Sequence, residues 1–136
     1  MSRYLLDTNI CIYLMRQVPP SVVKRFERCR WGDIRMSAIT FAELQSGANQ
    51  YSADPSRIQR IIHELTDWVP VLPFDTLAAE RYGLLYQQVK SRKRDALDRL
   101  IAAHAIASNR ILVTNNEDDF RDYPGLIVEN WVDPSE

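Results

Sequence analysis

Tyr4-Leu5-Leu6-Asp7-Thr8-Asn9 is a short apolar run that stops abruptly in three polar residues. Leu5 and Leu6 follow one another without polar alternation, the pattern of a strand buried on both faces, as in a parallel sheet. An Asp placed where such a strand leaves the core lies at the carboxyl edge of the sheet, where open α/β folds bind ligands. Thr8 and Asn9 add a hydroxyl and an amide, suited to orienting that carboxylate or capping a helix that begins near Ile10. A lone Asp in this position is more often a cap than a site. A functional reading of Asp7 therefore requires other acids to converge on it.

Outward from that stretch, strands and helices alternate. Cys11 to Leu14 make a short apolar helix that ends before Pro19-Pro20, and Ser21 is placed to cap a helix with Val22, Val23, Phe26 and Cys29 on one face. Asp33 to Ser37 reads as a second strand. Thr40 and Glu43 have capping-box spacing, which predicts a helix from there to about Gly47. Asp54-Pro55 caps a helix with Ile58, Ile61, Ile62, Leu65 and Trp68 at helical spacing, and Val71-Leu72 is a third, short strand. Asp75 opens a helix that carries Leu77, Ala78, Tyr82, Leu85 and Val89 inward. A further helix starts around Asp95, with Leu97, Leu100, Ile101, His104 and Ala105 as its buried stripe. Ile111 to Thr114 is a buried strand, Glu117 to Phe120 an acidic turn, and Leu126 to Val128 the last strand after Pro124-Gly125. The alternation predicts an α/β three-layer sandwich: a central, mostly parallel sheet of about five strands flanked by helices, as one domain over 1–136.

Composition narrows the function. An apolar share of 46% and a charged share of 26% belong to an ordinary globular protein. The net charge of −1 excludes a wholly basic nucleic-acid binder, so any polyanion contact must come from a local patch. Cys11 and Cys29 have neither zinc nor redox spacing and read as reduced core thiols of a cytoplasmic protein. No stretch reaches the length of a membrane span, and Asp7 interrupts the first apolar run too early for a signal peptide. Trp31, Trp68 and Trp131 are too scattered in sequence for a base-stacking platform, so packing in a core or a dimer contact is expected of them. His104 lies on a buried stripe and reads as a packed, hydrogen-bonded residue rather than a general base.

Asp7, Glu43 and Asp98 each follow a strand or open a helix, places that face the same carboxyl edge in an α/β sandwich. Glu43 has a structural explanation in its spacing to Thr40, and Asp98 has one in the dipole of its helix. Their neighbourhoods, Phe41-Ala42-Glu43-Leu44 and Leu97-Asp98-Arg99-Leu100-Ile101-Ala102-Ala103-His104, are otherwise apolar and small. Carboxylates gathered in such a setting repel one another unless a divalent cation lies between them, and an all-oxygen site suits Mg²⁺ or Mn²⁺.

The order Leu5-Leu6-Asp7-Thr8-Asn9, Ser37 to Leu44 with Gly47, Asp98 to Ala105, Leu112 to Asn116 through Phe120, then Pro124-Gly125-Leu126 and Glu129-Asn130-Trp131, resembles the PIN domain. In particular it is similar to the VapC toxins of bacterial toxin–antitoxin pairs, over essentially the whole chain. That resemblance implies a Mg²⁺-dependent endoribonuclease, usually dimeric, held inactive by a VapB-like antitoxin. Its products would be a 3′-hydroxyl and a 5′-phosphate, and its RNA a tRNA, a ribosomal RNA or a messenger RNA. By position, the acidic site falls on Asp7, Glu43 and Asp98, with Asp7 and Asp98 as metal ligands and Thr8, Asn9 and Thr114 as accessories. Many relatives carry a fourth acid where this chain has Asn116; Asp119 is nearby but falls where the family has an acid beginning the next short helix, and is the weaker candidate for that place. The basic run Lys90, Arg92, Lys93 and Arg94, just before Asp98, is the candidate RNA contact. The rival readings are a PIN-like scaffold or RNA-binding protein that has lost catalysis, and a phosphatase using Asp7 as nucleophile. Asn9 argues against the second, because it stands where that chemistry wants another carboxylate.

Overall fold

A computed structural model describes residues 2–51, 53–89 and 96–136. The basic run at Lys90, Arg92, Lys93 and Arg94, and the helix start expected at Asp95, lie outside the described residues. Five strands, all parallel, form one sheet: β1 (Tyr4–Leu6), β2 (Ile34–Ser37), β3 (Val71–Leu72), β4 (Ile111–Val113) and β5 (Val128–Glu129). Their spatial order is β3-β2-β1-β4-β5, with Tyr4 paired to both Ile34 and Ile111. Around the sheet lie α1 (Thr8–Arg16), α2 (Pro20–Glu27), α3 (Ala38–Tyr51), α4 (Pro55–Trp68), α5 (Thr76–Gln88), α6 (Ala96–Ala107) and the single turn α7 (Glu117–Phe120).

β1 is the centre of the fold. Tyr4 and Leu6 belong to the core under α1 to α4, while Leu5 belongs to the core on the other face under α5 to α7. Both leucines are fully buried, which accounts for the absence of polar alternation. The chain winds from β1 outward through β2 to β3, then returns to place β4 on the other side of β1. The reversal between β1 and β4 is a topological switch point, and the crevice it leaves lies at the carboxyl ends of those two strands.

Local signals located the starts of α4 and α5. Asp54 and Asp75 cap α4 and α5, accepting from the backbone N–H groups of Arg57 at 3.2 Å and Ala78 at 3.0 Å. Five local expectations fail. Ser21 lies inside the first turn of α2, whose N-cap is Pro19, and Cys29 falls beyond the helix end. The last strand is β5 at Val128–Glu129, two residues later than the turn at Pro124-Gly125 predicts. Leu77 is 63% exposed, because Ala78, Leu85 and Val89 take the inner face of α5 and the residue before Ala78 is rotated away by about a quarter turn. Leu97 is exposed as well, whereas Ile101 through Ala105 are all buried, so α6 presses into the core further along than its first turn.

The Thr40–Glu43 capping box does not form. α3 begins at Ala38, with the Ile39 N–H donating to Ser37 Oγ at 3.0 Å. Thr40 is therefore already helical, and its buried hydroxyl has no hydrogen-bond partner among the described residues. Glu43 sits a turn further on, beyond reach of the orphan N–H groups at the helix start. The three tryptophans also diverge. Trp131 is buried edge-on against Tyr4, with ring centroids 5.3 Å apart, whereas Trp31 and Trp68 stand exposed over one cleft. Cys11 is buried and Cys29 half-buried, both as free thiols. No helix among the described residues is long and apolar enough to cross a membrane.

Candidate active site

Where β1 ends, Asp7 turns the chain into α1. Its backbone N–H donates to Val113 O of β4 at 3.0 Å, and its Oδ1 accepts the Ile10 N–H at 2.9 Å. Asp7 is therefore the cap of α1, and it also faces the crevice; the two roles coexist because a side-chain acceptor uses only part of a carboxylate. On the β4 side, the fully buried Thr114 donates its hydroxyl to the Asp7 carboxylate and accepts the Asn116 N–H at 2.9 Å. The Asn9 N–H is a further donor to Asp7.

These donors do not compensate for burial. Asp7 is 4% exposed, and its pKa rises from 3.8 to about 6, chiefly because burial disfavours the charge, with the neighbouring Glu43 carboxylate adding to the rise. The bonds from Thr114, Ile10 and Asn9 pull the other way. Glu43, on the second turn of α3, is fixed from a distance: Thr8 Oγ1 donates to its Oε1 at 2.7 Å. Thr8 thus orients Glu43 and not Asp7.

Asp98, half-buried in the first turn of α6, completes the acids. Asp7, Glu43 and Asp98 line one cavity of about 120 Å³ at the carboxyl edge, together with Thr8, Asn9 and Asn116. Ile101 and Phe120 form its apolar wall, which sequence spacing did not single out. Asp119 is set apart, with Asn115, Glu117 and Asp118 in an adjoining cleft, so the position nearest the three acids belongs to Asn116. Behind the site, His104 Nδ1 lies 2.7 Å from Ser37 Oγ, and its ring stands edge-on to Phe74. Burial holds the His104 pKa down, so a neutral ring ties α6, which carries Asp98, to the start of α3, which carries Glu43. Nothing local in the sequence pairs Ser37 with a histidine 67 residues away.

The ligands the cavity offers a cation are all oxygens: three carboxylates, the Thr8 hydroxyl and the amide oxygens of Asn9 and Asn116. Such a set fits a small hard cation that keeps part of its water shell and is held by one or two carboxylates. Among the described residues no three acidic, histidine or cysteine side chains are gathered closely enough to hold a metal ion between them. The buried, unneutralised Asp7 beside Glu43 is the observation that fits a cation here.

An acid-lined crevice at the switch point of a five-stranded parallel sheet defines the class of protein, and the sequence profile of the PIN domain matches residues 4–126. The tRNA(fMet)-specific endonuclease VapC of Shigella flexneri is 35% identical over 133 residues, covering 96% of this chain and 99% of that protein. Among solved structures, VapBC2 of Rickettsia felis bound to a promoter DNA fragment superposes with a TM-score of 0.87 at 34% identity, covering 95% of this chain and 98% of that one. The DNA-bound VapBC of Salmonella typhimurium gives a TM-score of 0.89 at 31% identity over 97% of this chain and 100% of that one. The chain belongs to the PIN-domain family, in its VapC branch.

Proposed function

We propose that this protein is a divalent-metal-dependent endoribonuclease, the toxin of a toxin–antitoxin pair acting in the cytoplasm. The observation that carries the reading is the convergence of Asp7, Glu43 and Asp98 in one cavity from three separate elements. Their relatives' names add to it: several are ribonucleases, and the Shigella relative is named for initiator tRNA, which makes tRNA the first substrate to test. Asp7 and Asp98 would hold Mg²⁺ (Mn²⁺ being the alternative), with Asn116 beside them. When bound, the ion supplies Lewis-acid stabilisation of the phosphate charge and acidifies water.

The chain's own groups do the rest. Thr114 and the N–H groups of Ile10 and Asn9 favour the ionised form of Asp7 and hold its rotamer. The Thr8 hydroxyl occupies Glu43 Oε1, which leaves Oε2 to accept a proton from the attacking water. In-line attack then leaves a 3′-hydroxyl and a 5′-phosphate. Ile101 and Phe120 keep one wall of the cavity dry, which strengthens every electrostatic contact inside it.

An antitoxin segment is the occupant we assign to the apolar groove between α1, α3 and α4. Ile12, Met15, Leu44, Gly47, Ile58 and Ile61 line a volume of about 560 Å³, with Arg16 and Glu43 at its rim. Glu43 borders both the groove and the acid cavity, so a basic side chain on the occupant reaches the carboxylates. The solved relatives being VapBC toxin–antitoxin complexes supports this choice. Leu77 and Leu84, both exposed and seven residues apart on α5, share one helix face, and to that face we assign the contact with a second copy.

The test is incubation of purified tRNA with the protein, with Mg²⁺ or EDTA, followed by mapping of the RNA ends. Cleavage should vanish in EDTA and in Asp98→Asn, whose melting temperature should match the wild type. Cleavage that survives either change would remove the acid site from the mechanism.

A further inference from the structure

Trp31 and Trp68 stand at the amino edge of the sheet, opposite the acid cavity. Trp31 precedes β2 and Trp68 precedes β3, and Met36 of β2 pairs with Val71 of β3, so two residues distant in sequence arrive at neighbouring strand starts. They are 70% and 62% exposed and line one cleft of about 400 Å³, whose other walls include Phe26, Cys29, Arg30 and Ile34. Trp31 Nε1 donates to Asp67 O at 3.1 Å, which fixes the indole plane. Next along the same edge come arginines. Arg3 precedes β1 and Arg110 precedes β4, and Arg35 is the second residue of β2. Strand spacing puts such neighbours about 5 Å apart.

Arg110 Nη1 donates to Asp33 O at 3.0 Å and Tyr4 O at 3.3 Å, and Arg35 Nη1 to Ile34 O at 3.0 Å. A guanidinium carries five N–H donors, so each retains others. The charges act on one another: burial first, then Arg35 and Arg3, hold the Arg110 pKa below its usual value, against the opposing charge of Asp33. Glu27 in the cleft is a second acid at this edge. A molecule with a net charge of −1 thus has the acids of its cavity at one end of β1 and, at the other, an aromatic–arginine track in which Arg3, Arg35 and Arg110 outnumber Asp33 and Glu27.

We propose that this amino edge is a second RNA-binding surface, on which bases of a single-stranded segment stack against Trp31 and Trp68 while Arg3, Arg35 and Arg110 pair with the adjacent phosphates. Aromatic faces interleaved with arginine are how single strands are held without sequence readout. The charge of the edge matches a polyanion, which is why RNA is assigned here ahead of a protein partner. The inference rests on the ribonuclease reading for the polymer, though on none of its site residues. Such a surface would grip a flank of the substrate remote from the cut and contribute affinity without entering the chemistry.

The experiment is fluorescence anisotropy of a fluorescein-labelled, mixed-sequence single-stranded oligoribonucleotide in EDTA, alongside a cleavage assay in Mg²⁺. Trp31→Ala and Trp68→Ala should each weaken binding at least about fivefold, the low end for loss of one stacked base. Arg3→Gln with Arg35→Gln should lower the salt slope by about 1.4, at about 0.7 per phosphate contact. Arg110 is left in place because it holds two backbone carbonyls. Wild-type affinity and slope in all of these variants would overturn the surface while leaving the nuclease reading intact, as would cleavage by a wild type that binds no oligonucleotide in EDTA. A wild type that neither binds nor cleaves RNA would bring down both. Loss of self-association in sedimentation, with RNA affinity unchanged, would reassign the tryptophans to a contact between copies.

Discussion

Asp7→Asn should make the metal-free protein more stable, and only above the pH at which Asp7 ionises. The folded-state pKa of about 6 stands about two units above the ordinary 3.8. At roughly 1.4 kcal/mol per unit, holding that charge in a buried place, with Glu43 beside it, costs the fold about 3 kcal/mol at neutral pH. The sign follows from proton uptake. Above about pH 6 the carboxyl is ionised in both states and the full cost applies. As the pH falls from there towards 3.8, the folded state binds the proton first, so this group's contribution to stability rises, and it levels off below 3.8. Asn keeps an oxygen for the Ile10 N–H and removes the charge. The gain at about pH 8 should approach 3 kcal/mol, roughly 10 °C in melting temperature for a chain of this length, fall below about 1 kcal/mol near pH 4 and vanish at lower pH. Calorimetry in EDTA across that range reads the effect directly. Added Mg²⁺ should then raise the wild-type melting temperature and leave the variant where it is. A variant no more stable than the wild type at pH 8, or one whose advantage is the same at pH 4, would refute the argument that Asp7 is held ionised at a cost.

Three other outcomes follow from the same contacts. Thr114→Val removes a hydrogen bond that lowers the Asp7 pKa, so the acid limb of the pH–rate profile for RNA cleavage should move to higher pH while the alkaline limb stays. Ser37→Ala removes the acceptor for Ile39 N–H and the partner of His104 together, and should cost about 1–3 kcal/mol in urea unfolding. A Cβ at Gly47 meets nothing within 4 Å, so Gly47→Phe should fold normally, fill the groove and abolish antitoxin co-purification, with tRNA cleavage retained.

What was legible in the sequence was whatever depended on neighbours along the chain or on the period of a buried strand. Leu5-Leu6 without alternation implied a strand covered on both faces, and Asp54 and Asp75 marked helix starts because a cap acts over three residues. Where a local rule competed with a distant partner, the distant partner prevailed. Thr40 and Glu43 have the spacing of a capping box, yet Ser37 starts the helix earlier, and the Thr8 hydroxyl, 35 residues away, takes Glu43. Leu77 fails by phase: one residue along α5 separates the inner face from the outer, and composition does not set that rotation.

The meeting of the acids is a different case, because no local rule contains it and topology alone produces it. Once β4 returns to the far side of β1, whatever follows β1 must meet whatever follows β4, and Asp7 meets Thr114. The same argument applies at the other end of the strands, where sequence distance suggests that Trp31 and Trp68 are separate. β2 and β3 are neighbours, so the residues leading into them share an edge however far apart they lie in the chain. A parallel sheet brings together the residues after its strands at one edge and those before its strands at the other. Acids collected at the first edge and aromatic and cationic groups at the second therefore come from a single ordering of five strands.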